Sequence, residues 1–178
     1  MKNSKQPTLT CPGSRCMAGN GERWFADRLS ITVPNPGKPL FLWLLLIIDQ
    51  GSLLPRGAFC AQKTDIPSMI SLVDRSTDRY GTPESLYADL GPVSASREFL
   101  GHLDSMGIKP GDFYKLRPGC RGYAENLMDS LRNYIWRAVC ESPDLTAEDI
   151  NAWLDRYLER FCSRLSEDRT EICRRFQS

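Results

Sequence analysis

The chain is poor in the residues that advertise chemistry. It has a single histidine, His102. It has no C-x-x-C pair, H-E-x-x-H, G-x-S-x-G, P-loop or G-x-G-x-x-G. One histidine without close cysteine pairs leaves too few ligands for an ordinary zinc site. No apolar run approaches the roughly 20 residues of a membrane-spanning helix. Period-2 runs of β-branched residues are also missing, which reads against a sheet. Charge of one sign is not in excess. There are 23 Lys and Arg against 22 Asp and Glu, a net of +1, where a dedicated nucleic-acid binder would show a basic stripe.

What is present begins with one apolar run, Leu40 to Ile48, "LFLWLLLII", ended by Asp49. Nine residues fit the apolar stretch of a secretory signal, typically about 7–15 residues. Lys38 precedes it, and the small residues Gly57, Ala58 and Ala61 follow. Residues 1–39, rich in Pro, Gly and Ser, read as a disordered or mis-assigned leader. Residues 40–61 read as the signal and its cleavage region, and residues 62–178 as the mature domain. A buried strand or helix is the alternative reading of the apolar run.

Seven cysteines are present, at positions 11, 16, 60, 120, 140, 162 and 173. Cleavage near Ala61 leaves four, and an even number in a small exported domain reads as two disulfides. If Cys120 and Cys140 cap one continuous helix they stand about 30 Å apart and cannot bond each other. An antiparallel second helix and a short third one favour Cys120–Cys162 and Cys140–Cys173. A break near Asn133 would instead permit Cys120–Cys140, and four reduced buried thiols are the further alternative.

Residues 62–178 read as all-helical, a small disulfide-stapled bundle. Asp65-Ile66-Pro67 starts one helix. Thr82-Pro83-Glu84 starts a second, carrying Leu86, Tyr87 and Leu90. Ser94 or Ser96 caps a third that ends at Gly107, and a loop follows from Ile108. The next helix places Tyr123, Leu127, Leu131, Tyr134, Ile135 and Ala138 on one face. Thr146 and Asp149 resemble a capping box before the clearest helix, with Ile150, Trp153, Leu154, Tyr157, Leu158, Phe161 and Leu165 at steps of three and four. Ser166 caps a last helix with Ile172, Cys173 and Phe176. The stripe of Trp153, Tyr157 and Phe161 reads as core, and a partner-binding groove is the minority reading.

No catalytic residue, cofactor or metal ligand is assigned. His102 reads as a surface or helix-end residue. Glu148, Asp149 and Asp155 read as a helix start and a solvated face, and the C-terminal arginines alternate with acids as a salt-bridged face.

The segment "CRGYAENLMDSL…VCESPDLTAEDINAWLDRYLERFC" resembles the Rap/Tai-type immunity proteins of type VI secretion amidase effectors. Cys120, Gly122, Tyr123, Asp129, Cys140, Pro143, Thr146, Tyr157 and Leu158 carry the resemblance, over about 45 of the 178 residues. It implies a periplasmic, non-enzymatic protein that blocks a peptidoglycan-cutting toxin. The expectation is therefore an exported helical protein, periplasmic or secreted, that binds a protein partner. No nucleic acid is expected, a homodimer is compatible, and membrane contact comes only through Leu40 to Ile48 if that segment stays uncleaved. The alternatives are a membrane-anchored accessory component of a secretion or conjugation system and a cell-envelope hydrolase using His102 or carboxylates.

Overall fold

The computed structural model describes residues 21–33, 39–115, 118–142 and 144–175, with the side chains of residues 118 and 164–175 not described. Its centre is a mixed five-stranded sheet and not a helical bundle. The strands are β1 (Arg23–Val33), β2 (Leu40–Asp49), β3 (Pro55–Ala61), β4 (Ser85–Ala88) and β5 (Lys109–Gly111). Their spatial order is β3-β2-β1-β4-β5. The pairs β1–β2 and β2–β3 are antiparallel, whereas β4 is parallel to both β1 and β5. Four helices complete the fold: α1 (Ile66–Tyr80), α2 (Arg97–Ser105), α3 (Pro118–Glu141) and α4 (Ala147–Arg175).

The all-α expectation fails on β2. Leu40 to Ile48 is a strand paired on both edges, to β1 and to β3. A strand covered on both faces reads as an unbroken apolar run, and such a run cannot be told from a short apolar helix by periodicity. Leu42, Leu44, Leu46 and Ile48 face one core, with Ile31 and Val33 of β1 and the apolar faces of α3 and α4. Leu45 and Ile47 face the other, with Met69, Leu72 and Val73 of α1 and Phe99 and Leu103 of α2. The reading of this segment as a signal peptide or membrane anchor is corrected accordingly. No helix among the described residues is long and apolar enough to cross a membrane.

Asp49, which ends the apolar run, is fully buried. Its carboxylate accepts from the backbone N–H groups of Gly21 and Ser52, from the Ser52 hydroxyl, and from the Arg56 guanidinium at 2.9 Å. Those donors replace the water it loses, and they fix the turn from β2 into β3.

Several helix signals hold. Asp65 caps α1 by accepting from the Ser68 N–H at 3.0 Å, and Ser96 caps α2 through the Phe99 N–H at 3.2 Å. Thr146 and Asp149 form the reciprocal capping box at α4: the Thr146 N–H donates to Asp149, and the Asp149 N–H donates to the Thr146 hydroxyl oxygen. The Thr82-Pro83-Glu84 signal misleads, because the residues behind it form strand β4. The last two expected helices are one, since α4 continues through Ser166 to Arg175.

The disulfide framework is also corrected. Cys120, Cys140 and Cys162 form no disulfide among the described residues, and neither does Cys60. Cys120 lies in the sheet-facing core on α3, Cys140 is exposed and Cys162 is half-buried on α4. The Cys173 side chain, Cys11 and Cys16 lie outside the described residues.

Candidate active site

Two short stretches of the sequence echo each other, Phe25-Ala26-Asp27 and Tyr87-Ala88-Asp89. The parallel pairing of β1 with β4 lays them side by side, with Phe25 opposite Tyr87 and Ala26 opposite Ala88. The Asp89 N–H then donates to the Ala26 carbonyl at 3.0 Å, which carries the alignment one residue past the end of β4. Side chains alternate along a strand. Asp27 therefore shares a face with Phe25, on the side of the sheet where α3 packs.

Glu125 completes the group from α3. Its neighbours Ala124, Leu127 and Met128 are buried against the sheet, while Glu125 itself is exposed at the helix edge. Asp27 and Asp89 are half-buried. The other two carboxylates act on Asp27. Burial pushes the Asp27 carboxyl above its ordinary value, and the charges of Asp89 and Glu125 push it the same way. Opposing them are the Arg28 backbone N–H, which donates to Asp27 Oδ1 at 2.7 Å, and the Arg28 charge.

An acid held in mid-sheet beside two others, its ionised form disfavoured by burial and by their charges, is a candidate functional group. All the donors are carboxylate oxygens, which suit hard cations such as Mg²⁺ or Mn²⁺. Among the described residues no group of three or more His, Cys, Asp or Glu side chains is placed so as to hold a metal ion by itself. Mg²⁺ needs only one or two carboxylates and fills the rest of its shell with water and substrate phosphates.

The acids singled out by inspection of the sequence lie elsewhere. Asp149 is a helix cap whose carboxyl the Thr146 hydrogen bonds hold low. Asp155 lines a cleft with Arg56, Arg75 and Arg79 between α1, β3 and α4. His102 sits on α2 with Nε2 2.7 Å from Asp74 of α1, on the sheet face opposite Glu125. The structure does not join it to the three carboxylates. Trp153, Tyr157 and Phe161 pack against the core as expected, and Tyr134 stacks on Trp153 with ring centroids 3.5 Å apart.

No family model matches the chain, and no curated protein does. Solved structures do. A simian T-cell lymphotropic virus intasome, in complex with PP2A regulatory subunit B56 gamma, aligns at a TM-score of 0.63 and 19% identity, over 75% of this chain and 46% of that one. This chain therefore spans about half the length of that neighbour. The HTLV-2 integrase catalytic core domain in complex with magnesium, in its dimeric form, aligns at 0.62 and 19%, over 78% and 84% of the two chains. The BIV integrase catalytic core domain aligns at 0.57 and 17%, over 74% and 79%. The fold is that of integrase catalytic cores. This overturns the expectation of a non-enzymatic immunity-type inhibitor without a catalytic centre.

Proposed function

We propose that this chain is the catalytic core of a metal-dependent enzyme that cuts or joins phosphodiester bonds in nucleic acid. The observation that carries the reading is the convergence of Asp27, Asp89 and Glu125 from two adjacent strands and a helix, on the fold of integrase catalytic cores. One of those cores is described with magnesium, and the donor set here suits the same class of ion.

Asp27 on β1 and Asp89 just past the end of β4 would hold the divalent ions, with Glu125 reaching in from the helix. Bound there, such ions supply charge for the developing oxyanion and activate the attacking oxygen. The residues of the chain contribute position. The Asp89 N–H bond to Ala26 holds one carboxylate strand against the other, and the Arg28 N–H bond fixes the orientation of the Asp27 carboxylate. The raised Asp27 carboxyl keeps its proton further up the pH scale than an ordinary aspartate. Its metal-binding form is therefore lost early as pH falls.

The near-neutral net charge does not oppose this reading. A substrate engaged through cations at one end of the sheet does not require a basic surface over the whole protein. Protein partners belong to the same reading. One neighbour is described with a PP2A subunit and another in dimeric form, which supports assembly of this chain with protein partners. The direct test is Mg²⁺- or Mn²⁺-dependent nicking or joining of a labelled DNA duplex by the purified chain. Asp27→Asn and Asp89→Asn are expected to abolish it. Activity that persists in both variants would place the chemistry elsewhere.

A further inference from the structure

The β4 ladder stops at Ala88, one residue short of Asp89. Asp89 is tied to the sheet by its N–H bond to the Ala26 carbonyl at 3.0 Å, and the chain then leaves the strand. A metal ligand has to be held to within about 0.5 Å, and chain just beyond a ladder opens at small cost. The turn behind Asp89 is secured in two ways. Leu90 is fully buried in the core with α1 and α2. Gly91 opens a 3₁₀ turn, Gly91–Val93, and its carbonyl accepts from the Ser94 N–H at 3.2 Å and from the Ser94 hydroxyl at 2.7 Å.

Gly91 also meets the side chain of Arg28 on β1. The guanidinium lies so near that a Cβ at Gly91 would stand 2.5 Å from Nη2 and 3.2 Å from Cζ. Gly91 has φ +57, so its backbone conformation and this close approach both call for a residue without a side chain. The same guanidinium carbon lies 5.1 Å from the centre of the Trp43 ring. Trp43 belongs to β2, which flanks β1 on one side, and the Gly91 turn follows β4, which flanks it on the other. The Arg28 side chain therefore links an aromatic ring on β2 to the turn behind Asp89. Its main chain serves the other aspartate, since the Arg28 N–H donates to Asp27 Oδ1 at 2.7 Å.

Resting on the reading of the carboxylates as a divalent-ion centre, we propose that Arg28 is a positioning residue for both aspartates. Its main chain orients the Asp27 carboxylate, and its side chain, backed by Trp43, props the turn behind Asp89. The guanidinium takes no part in binding the ion, and its charge opposes it. Asp27 feels that charge, and a cation beside a carboxylate repels a second cation brought to it. Position and charge thus act with opposite sign on metal affinity, so one measurement tells them apart. Arginine suits the positioning task. Its planar guanidinium stacks on an aromatic ring, whereas a lysine ammonium is a compact point charge on a flexible stem.

The test is isothermal titration of the whole chain with Mn²⁺ at pH 8, in wild type, Arg28→Gln, Arg28→Lys and Trp43→Phe. Arg28→Gln is expected to weaken Mn²⁺ binding about tenfold, the low end of the range for removing a group that orients a metal ligand. Arg28→Lys keeps the charge and loses the planar prop, so it should weaken binding by a similar factor. It carries the test if Arg28→Gln does not fold. Trp43→Phe keeps a ring behind the guanidinium and should bind as wild type does. Circular dichroism of the folded variants should match wild type, which separates a displaced ligand from a lost fold. Arg28→Gln binding Mn²⁺ as tightly as wild type, or more tightly as charge alone requires, would overturn the positioning role. So would wild-type affinity in Arg28→Lys. In both cases wild type still binds the ion, and the carboxylate centre stands. A wild type that binds no Mn²⁺ would overturn the centre and this role with it.

Discussion

Asp27 is where residue-level physics and function meet. A carboxyl raised in the folded state holds its proton more tightly than in the unfolded chain. Its ionisation therefore costs folding free energy: the cost is absent below the ordinary carboxylate range and complete above the raised value. Burial is the largest cause, followed on the raising side by Asp89 and Glu125. Asp27→Asn removes the charge and keeps the shape, so in EDTA at pH 7.5 it should melt at a higher temperature than wild type while losing activity. Calorimetry checks this, and the difference should vanish near pH 3, where both forms are neutral. Adding Mg²⁺ should narrow the gap from the other side, since a bound ion stabilises only wild type. The cysteines give a second prediction at this scale. Burial pushes the Cys60 thiol up to about 12, and Cys140 is exposed. Brief iodoacetamide treatment of native protein should modify Cys140 and spare Cys60 in peptide mass maps. A Cys140 peptide found cross-linked before reduction would contradict that expectation.

At the scale of elements, β3 shows how an edge is managed. The Asn151 amide on α4 accepts from the Cys60 N–H at 2.6 Å and donates to the Cys60 carbonyl at 2.9 Å. It stands where a sixth strand would pair, which both docks α4 and closes the edge. Asn151→Ala leaves two strand groups without these partners, each worth about 1–3 kcal/mol if it stays buried. Urea unfolding should show a loss of a few kcal/mol, and a loss below about 0.5 kcal/mol would show that water replaces the amide freely. Helices and their caps were legible in the sequence because they are local: Asp65, Ser96 and Thr146 each bond an N–H three residues away or within one turn. Strands were not. β2 lacks the period-2 signature because both faces are buried, and β4 is four residues long behind a convincing helix-start signal. With no sheet in view, cysteines on helices looked like staples.

For the molecule as a whole, the candidate site was illegible for the same reason. Asp27, Asp89 and Glu125 lie far apart in sequence, and no local spacing joins them. Only the parallel β1–β4 pairing makes neighbours of the first two, and only the packing of α3 on the sheet brings in the third. One signal was available: the repeated aromatic-Ala-Asp of Phe25-Ala26-Asp27 and Tyr87-Ala88-Asp89, which becomes meaningful once the two are seen side by side on parallel strands. Glu125 lay within the segment read as an immunity-protein motif, where the cysteines drew the attention. The central claim is that these three carboxylates form one divalent-ion centre. It is tested most directly by titrating the whole chain with Mn²⁺ and following the loss of free-ion electron paramagnetic resonance signal, in wild type, Asp27→Asn, Asp89→Asn and Glu125→Gln. The account predicts saturable binding in wild type, lost in both aspartate variants and weakened in Glu125→Gln, with the helical and strand content of all four proteins unchanged. Equal Mn²⁺ binding by wild type and the two aspartate variants would contradict it.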